Sequence, residues 1–331
     1  MVQNLRDRIF DAEDHSDFLN LASQIFDYQY GNNIVYQNFA SHLKKTPGTI
    51  KNLINLPFLP VEFFRSHKII SGDHQVQKIF ESSGTSGNLT GRHYVCDTGL
   101  YTESFMKSFR YFYGDPADYM IAALLPSYTE RENSSLVYMV DYLIRMSKSP
   151  LSGFYREREG NLIRDILSAR KEGSKVLLLG VSFALLDLAE KGPVDFSDVI
   201  IMETGGMKGR RKELTRTELH GILKKAFNVS SIHSEYGMTE LLSQAYSKGE
   251  GLFYSPPWMK IILRDIYDPL TLLTEPGITG GINIIDLANL YSCSFISTGD
   301  LGRLREDGGF EVLGRFDNND IRGCNLLVES S

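Results

Sequence analysis

Three segments bring together residue types suited to phosphoryl and acyl chemistry. The first is Ser82-Ser83-Gly84-Thr85-Ser86-Gly87. Its glycines allow tight or left-handed backbone, and its hydroxyls and exposed amides can surround phosphate oxygens. Neither the GxxxxGK[ST] pattern of a Walker loop nor a dinucleotide GxGxxG is present, and an ordinary surface turn fits these residues about as well. Nearby Arg92 either brings positive charge to phosphates or is a solvent-facing strand residue.

The second segment is Ser234-Glu235-Tyr236-Gly237-Met238-Thr239-Glu240. Glu240 has the hard oxygen donors that suit Mg2+, Thr239 can orient a reacting carboxylate, and Tyr236 can pack on a planar base. The competing reading is a helix start, with Thr239 capping Glu240-Leu241-Leu242. Upstream, Gly205 and Gly206 end a strand-like run, followed by Lys208 and Arg210. They either admit a flat base close to the backbone or form a plain strand-end turn.

Ser297-Thr298-Gly299-Asp300 and Gly314-Arg315-Phe316-Asp317 form the third group. Asp300 can accept hydrogen bonds from both hydroxyls of a ribose, and Arg315 can contact ribose or phosphate. Charged hairpin turns are the alternative. Of the three cysteines, Cys324 lies beside Arg322, which would favour a nucleophilic thiolate; a small buried residue is the plainer reading. Cys96 and Cys293 lie in apolar surroundings and read as packing residues. His233 either borders a pocket or is structural, and no thiol or imidazole spacing suggests zinc.

The elements positioning these groups alternate between apolar strands and helices. Residues 1–74 read as a helical segment packed on the core, with FLNLASQIFDYQYGNNIVYQNFASHL at helical spacing and LPFLPVEFF as an extended or turning connector. An α/β nucleotide-binding core is expected over 75–248, containing YMIAALLPSY, SKVLLLGVSFALLDLAE and SDVIIMETGG. Glycine-rich, β-prone runs then indicate a β-rich subdomain at 249–315 and a hinge or tail at 316–331. The apolar stretch Leu136–Leu143 suits core packing better than a tunnel wall.

With 331 residues, 42% hydrophobic and a net charge of −6, the chain can bury a sizeable core and gives no reason to expect nucleic-acid binding. The N-terminus lacks the apolar core of a secretory signal, and no run approaches the ~20 residues of a membrane span. A cytoplasmic protein without stable membrane insertion is therefore expected.

In order along the chain, these segments resemble the adenylate-forming superfamily of acyl-CoA synthetases, luciferases and peptide-synthetase adenylation domains. SSGTSG is similar to its phosphate loop, SEYGMTE to its aromatic-Gly-x-Thr-Glu motif, STGD to its ribose motif and VLGRFDNND to its Gly-Arg-x-Asp junction. The resemblance implies an α/β fold of mixed β-sheets flanked by helices, a distal β-rich subdomain and a severely shortened C-terminal domain. It implies ATP and Mg2+ as cofactors and acyl-AMP formation as the activity. Ser82, Ser83, Gly84, Thr85, Ser86 and Gly87 would surround the phosphates; Gly205, Gly206 and Tyr236 would frame adenine. Thr239 and Glu240 would organise the reacting carboxylate and Mg2+, while Asp300 and Arg315 would hold the ribose.

Most relatives carry a catalytic lysine in a further C-terminal domain, whereas this sequence ends eleven residues after Asp320. Lys208, Arg210 or Arg322 would have to compensate, or a partner subunit would. Within the superfamily, the ending is most similar to the bacterial acyl-protein synthetase family, which activates a fatty acid, carries it on a C-terminal cysteine and passes it to a reductase. Arg322-Gly323-Cys324-Asn325 resembles that segment, implying Cys324 as the acyl carrier and an acyl-protein reductase as partner. An acyl-CoA or arylacetyl-CoA ligase, or a catalytically weak nucleotide-binding scaffold, are the alternatives.

Overall fold

The computed structural model describes residues 2–12, 14–82, 90–127, 129–205 and 214–315. The chain opens with helices α1 (Val2–Arg8), α2 (His15–Asn32) and α3 (Ile34–His42). Strand β1 (Leu59–Pro60) and the single turn α4 (Phe63–Ser66) follow, then the hairpin β2 (Lys78–Glu81) and β3 (Arg92–Val95). The α/β portion runs α5 (Thr98–Tyr113), β4 (Tyr119–Leu124), α6 (Ser135–Met146), β5 (Gly153–Phe154), α7 (Glu159–Lys171) and β6 (Lys175–Val181). It continues through α8 (Ser182–Ala189), β7 (Val199–Thr204), α9 (Arg216–Phe227) and β8 (His233–Tyr236). Then come β9 (Ala245–Ser247), β10 (Leu252–Tyr254), β11 (Met259–Arg264), β12 (Leu272–Leu273), β13 (Thr279–Asp286), β14 (Phe295–Leu304) and β15 (Phe310–Arg315).

Among the described residues, one sheet of 13 strands runs β12-β11-β13-β14-β15-β10-β9-β8-β7-β6-β4-β5, with β1 pairing onto β14. Neighbours from β5 to β8 are parallel and those from β8 to β12 antiparallel. Strand β4 is buried along its whole length, as expected of a parallel strand covered on both faces. Its side chains alternate between two cores. Met120, Ala122 and Leu124 pack with Leu162, Leu185 and Leu223 of α7, α8 and α9, and Ile121 and Ala123 with the core containing α5 and α6. Met139, Val140 and Leu143 of α6 are buried in this second core and Leu136 and Tyr138 pack against it, so the Leu136–Leu143 stretch is packing.

Helix ends follow local chemistry. Asp97 caps α5 by accepting from Leu100 N, and a Thr215/Glu218 capping box starts α9. The N-terminal helices are fastened to the distal strands by the fully buried Gln29. Its Nε2 donates to the carbonyls of Asn289 and Leu290 and to Ser294 Oγ, and its Oε1 accepts from Ser294 N. An amide so fully paired costs little to bury and fixes one docking geometry.

Candidate active site

Beyond β8 the chain passes Gly237 and Met238 into a turn at Thr239 and Glu240, not the start of a helix. The amides that a helix would use are taken by buried Asp286, which accepts from Leu242 N at 2.8 Å, Ser243 N at 3.0 Å and Ser243 Oγ at 2.6 Å. The turn's carbonyls are held from elsewhere. His93 Nδ1 lies 2.9 Å from Thr239 O, and Asn289 Nδ2 donates to Glu240 O at 2.6 Å. Burial lowers the His93 pKa to about 4, against the opposing effects of Thr239 and Asn289, so the ring is neutral and donates through Nδ1.

The Glu240 carboxyl is itself buried, and desolvation raises its pKa. Its own backbone amide, Arg315 and Arg65 oppose that rise, while Asp300 adds to it. Glu240 Oε1 occupies the space beside Gly91: a Cβ there would lie 2.6 Å from it and 3.2 Å from Ser82 Oγ. Ser82 and Gly91 bind each other, Ser82 N donating to Gly91 O at 2.9 Å and Gly91 N to Ser82 Oγ at 2.8 Å. Ser82 therefore stands with Gly91 against the Glu240 carboxylate. Ser83, Gly84, Thr85, Ser86 and Gly87 lie outside the described residues. Arg92 is solvent-facing and pairs with Glu81 at 3.2 Å.

Gly91 yields a sharp test, because its φ is outside the left-handed region and alanine is conformationally tolerated. We expect Gly91→Ala to displace the Glu240 carboxylate, with stability changed by less than ~1 kcal/mol. A crystal structure of the variant and urea melts check this; an unmoved carboxylate would contradict the contact.

Asp300 sits within β14, opposite Arg315 of β15, so the hairpin-turn reading of both residues gives way to paired strands. Tyr236 Oη donates to Asp300 Oδ2 at 2.8 Å and Arg315 Nε to Oδ1 at 3.1 Å. Tyr236, Asp300 and Arg315 thus form one cluster from three strands. Tyr236 is 9% exposed, and its ring packs edge-on against Phe253 and Phe310. Arg315 is exposed, so solvent screens its pairing.

A residue the sequence reading passed over supports this cluster. Buried Arg264 donates from Nη1 to Ile282 O at 2.8 Å and Asn283 Oδ1 at 2.9 Å, and from Nη2 to Thr298 O at 2.5 Å. Burial lowers its pKa to about 10, opposed by Glu62, Asp300 and Tyr236, so it stays cationic. Room for the guanidinium comes from Gly281, where a Cβ would fall 2.6 Å from Arg264 Cζ. The signal in the sequence was a lone arginine inside the apolar run WMKIILRDI.

At the end of β7, Gly205 has φ +66° and its carbonyl accepts from Ser182 Oγ at 2.7 Å. Gly206, Lys208 and Arg210 lie outside the described residues, as do Arg322 and Cys324. Beneath Gly205, buried Glu203 faces Arg216 Nε at 3.5 Å and His220 Nε2 at 3.7 Å. Burial alone would raise its pKa, but His220, Arg216 and Ser234 together hold it below the usual value. His233 contacts Tyr113 Oη at 3.1 Å, and burial with nearby Lys248 lowers it to about 4, a neutral structural ring. Cys96 and Cys293 are buried, and burial raises both thiol pKa values, that of Cys293 to about 12.

Glu235 points to the sheet face opposite Glu203 and accepts from Thr204 Oγ1 at 2.5 Å. Burial, with Glu203 adding, raises its pKa to about 7 against the Thr204 bond. The folded chain therefore holds this proton more tightly than the unfolded one. Stability is undiminished below about pH 4.5 and is lost as pH rises through about 7, by about 3 kcal/mol in total. Glu235→Gln should thus stabilise the chain at pH 8 by up to about 3 kcal/mol, and by less than about 1 kcal/mol at pH 5. Denaturant melts at the two pH values measure the difference; a pH-independent effect would refute it.

No family model matches the chain, and no curated protein matches its sequence. Its fold is shared with solved ligases. ATP-bound MatB from Rhodopseudomonas palustris superposes with TM-score 0.55 at 16% identity, covering 74% of this chain and 50% of that one. The open conformation of 2-hydroxyisobutyryl-CoA ligase, in complex with 2-HIB-AMP and CoA, gives TM-score 0.64 at 14% identity, covering 92% and 70%. This chain spans about half the length of the MatB structure. The fold class is α/β, a large mixed sheet flanked by helices, as in these ligases. Among the described residues no helix is long and apolar enough to cross a membrane.

Proposed function

We propose that the chain binds ATP and Mg2+, activates a carboxylic acid as acyl-AMP, and passes the acyl group to the thiol of Cys324. The acid we favour is a fatty acid, and the onward acceptor a reductase subunit. The observation carrying this reading is the convergence of two groups. Asp300, held by Tyr236 and Arg315, offers a carboxylate for ribose hydroxyls, while Glu240 stands against Ser82 and Gly91 at the border of the SSGTSG segment. Asp300 and Glu240 are also close enough to influence each other electrostatically, with Arg315 acting on both.

Mg2+ shared with nucleotide phosphates needs only one or two protein carboxylates, so Glu240 fits as its protein ligand. Among the described residues no cluster of three His, Cys, Asp or Glu side chains forms a closed metal site, which suits a cation arriving with nucleotide. When bound, the ion would offset negative charge on the phosphoryl oxygens.

In the proposed reaction, Thr239 orients the substrate carboxylate and Gly205, Gly206 and Tyr236 frame adenine. A carboxylate oxygen attacks the α-phosphorus, the bond to the bridging oxygen breaks, and its electron pair leaves with pyrophosphate. The Cys324 thiolate then attacks the acyl carbon, forming a thioester as the C–O bond breaks and AMP departs.

A second reading, transfer to coenzyme A, is favoured by the likeness to 2-hydroxyisobutyryl-CoA ligase with CoA bound. Intact-protein mass spectrometry after incubation with ATP, Mg2+ and mixed fatty acids separates the two. An ATP-dependent acyl mass addition is expected. Acyl-CoA formation on adding CoA, with no protein adduct, would instead establish the second reading.

A further inference from the structure

Strand β14 loses its regular pairing just where Asp300 lies. Ser297 pairs with Asn283 of β13 and Leu301 with Gly281, so Thr298, Gly299 and Asp300 stand against Ile282 alone. A bulge of this kind breaks the ladder and re-aims the side chains it carries. It also deprives buried carbonyls of their ladder amides, which costs free energy unless another donor arrives.

Arg264 is that donor, and it comes from one strand further away. It stands on β11 opposite Gly281 of β13. The guanidinium fills the space a side chain at Gly281 would take: a Cβ there would fall 2.6 Å from Cζ, 2.9 Å from Nη1 and 3.0 Å from Nε. Beyond Gly281 it binds both sides of the bulge, Nη1 donating to Ile282 O and Nη2 to Thr298 O. The Thr298 hydroxyl completes the arrangement, donating to Ile282 O at 2.9 Å and accepting from Asp300 N at 3.1 Å. One side chain, 5% exposed, thus ties β11 and β13 to the segment that carries Asp300. Asp300 and Tyr236 also feel its charge.

We propose that Arg264 is a positioning residue for the nucleotide's ribose: by holding the Thr298–Asp300 bulge, it aims the Asp300 carboxylate at the ribose hydroxyls and sets the preference for nucleotides that carry them. This rests on the ribose-binding role of Asp300 given above. Arg264 itself touches no part of the nucleotide; its effect passes through Thr298. A planar fork suits the task because it serves two carbonyls in a fixed geometry, which a lysine ammonium does not reproduce.

The test is calorimetric titration of ATP and 2′,3′-dideoxyATP, each with Mg2+, into the intact chain, Arg264→Lys and Gly281→Ala, with melting temperatures as a folding control. Gly281→Ala keeps the arginine and displaces only its guanidinium, and Gly281 lies outside the left-handed region, so this variant decides the matter if the lysine variant does not fold. The intact chain should favour ATP over the dideoxynucleotide by roughly tenfold or more, the worth of a charge-assisted hydrogen bond. In the variants that preference should shrink to within about threefold, while dideoxynucleotide affinity changes by less than about twofold. An equal loss for both nucleotides, or collapse of both variants, marks a merely structural role and overturns the assignment, as does an undiminished preference; the ribose role of Asp300 then still stands. Equal binding of the two nucleotides by the intact chain removes that role and the inference with it. Failure to bind either one overturns the ATP-binding reading itself.

Discussion

Replacing Glu240 by glutamine is expected to slow acid-dependent pyrophosphate release by roughly a hundredfold or more, with AMP affinity changed by less than about twofold. Glutamine keeps the shape that fills the space beside Gly91, and the Asn289 bond to the Glu240 carbonyl is untouched. What disappears is the negative charge that would bind Mg2+ and face Arg65 and Arg315. Burial raises the Glu240 pKa, so ionising it in the folded chain carries a desolvation cost. Removing that charge should leave stability at neutral pH equal or higher, which separates loss of activity from unfolding. Rates, AMP titrations and melts on the same preparation check this. A variant within about threefold of the parent rate would rule out Glu240 as the metal-binding carboxylate.

Cys324→Ser is expected to abolish the hydroxylamine-labile acyl adduct while leaving acid-dependent pyrophosphate exchange in place, because only the second half-reaction uses the thiol. The other cysteines are poor substitutes. Cys96 and Cys293 are buried and their thiol pKa values are raised, that of Cys293 to about 12, leaving little thiolate at neutral pH. Intact-mass comparison of parent and variant decides the matter; an undiminished labile adduct in Cys324→Ser would remove the thiol from the reaction.

Much of this architecture is legible in the residues themselves. Continuous apolar runs such as YMIAALL and KVLLLGV become the buried parallel strands β4 and β6, because a strand covered on both faces needs no alternation. Tyr236, Asp300 and Arg315 stand in recognisable short segments, and the fold brings them into one hydrogen-bonded cluster. The helix α5 is less visible: its aromatic-rich TGLYTESFMKSFRYFY obscures the period, although Asp97 ahead of it is a capping signal.

The supports of the site are hidden for a different reason. His93, Asn289, Asp286 and Arg264 are single polar residues in otherwise unremarkable stretches, and their partners are distant in sequence. His93 meets Thr239 from 146 positions away. Their roles are set by tertiary contact, which no local spacing encodes. The Thr239–Glu240 turn shows the same limit. A capping threonine before acidic and leucine residues suits a helix locally, yet Asp286 takes the amides such a helix would need. Arg65 also lies in a segment that reads only as a connector until β1 is seen to pair with β14.

The central claim, that this fold activates a carboxylic acid on ATP, is tested most directly by exchange of labelled pyrophosphate into ATP in the presence of Mg2+ and fatty acids of graded length. Exchange is expected to depend on the acid, to be fastest for a preferred chain length, and to persist in Cys324→Ser. Nucleotide binding without exchange for any acid, or conversion of ATP to ADP and phosphate, would contradict it.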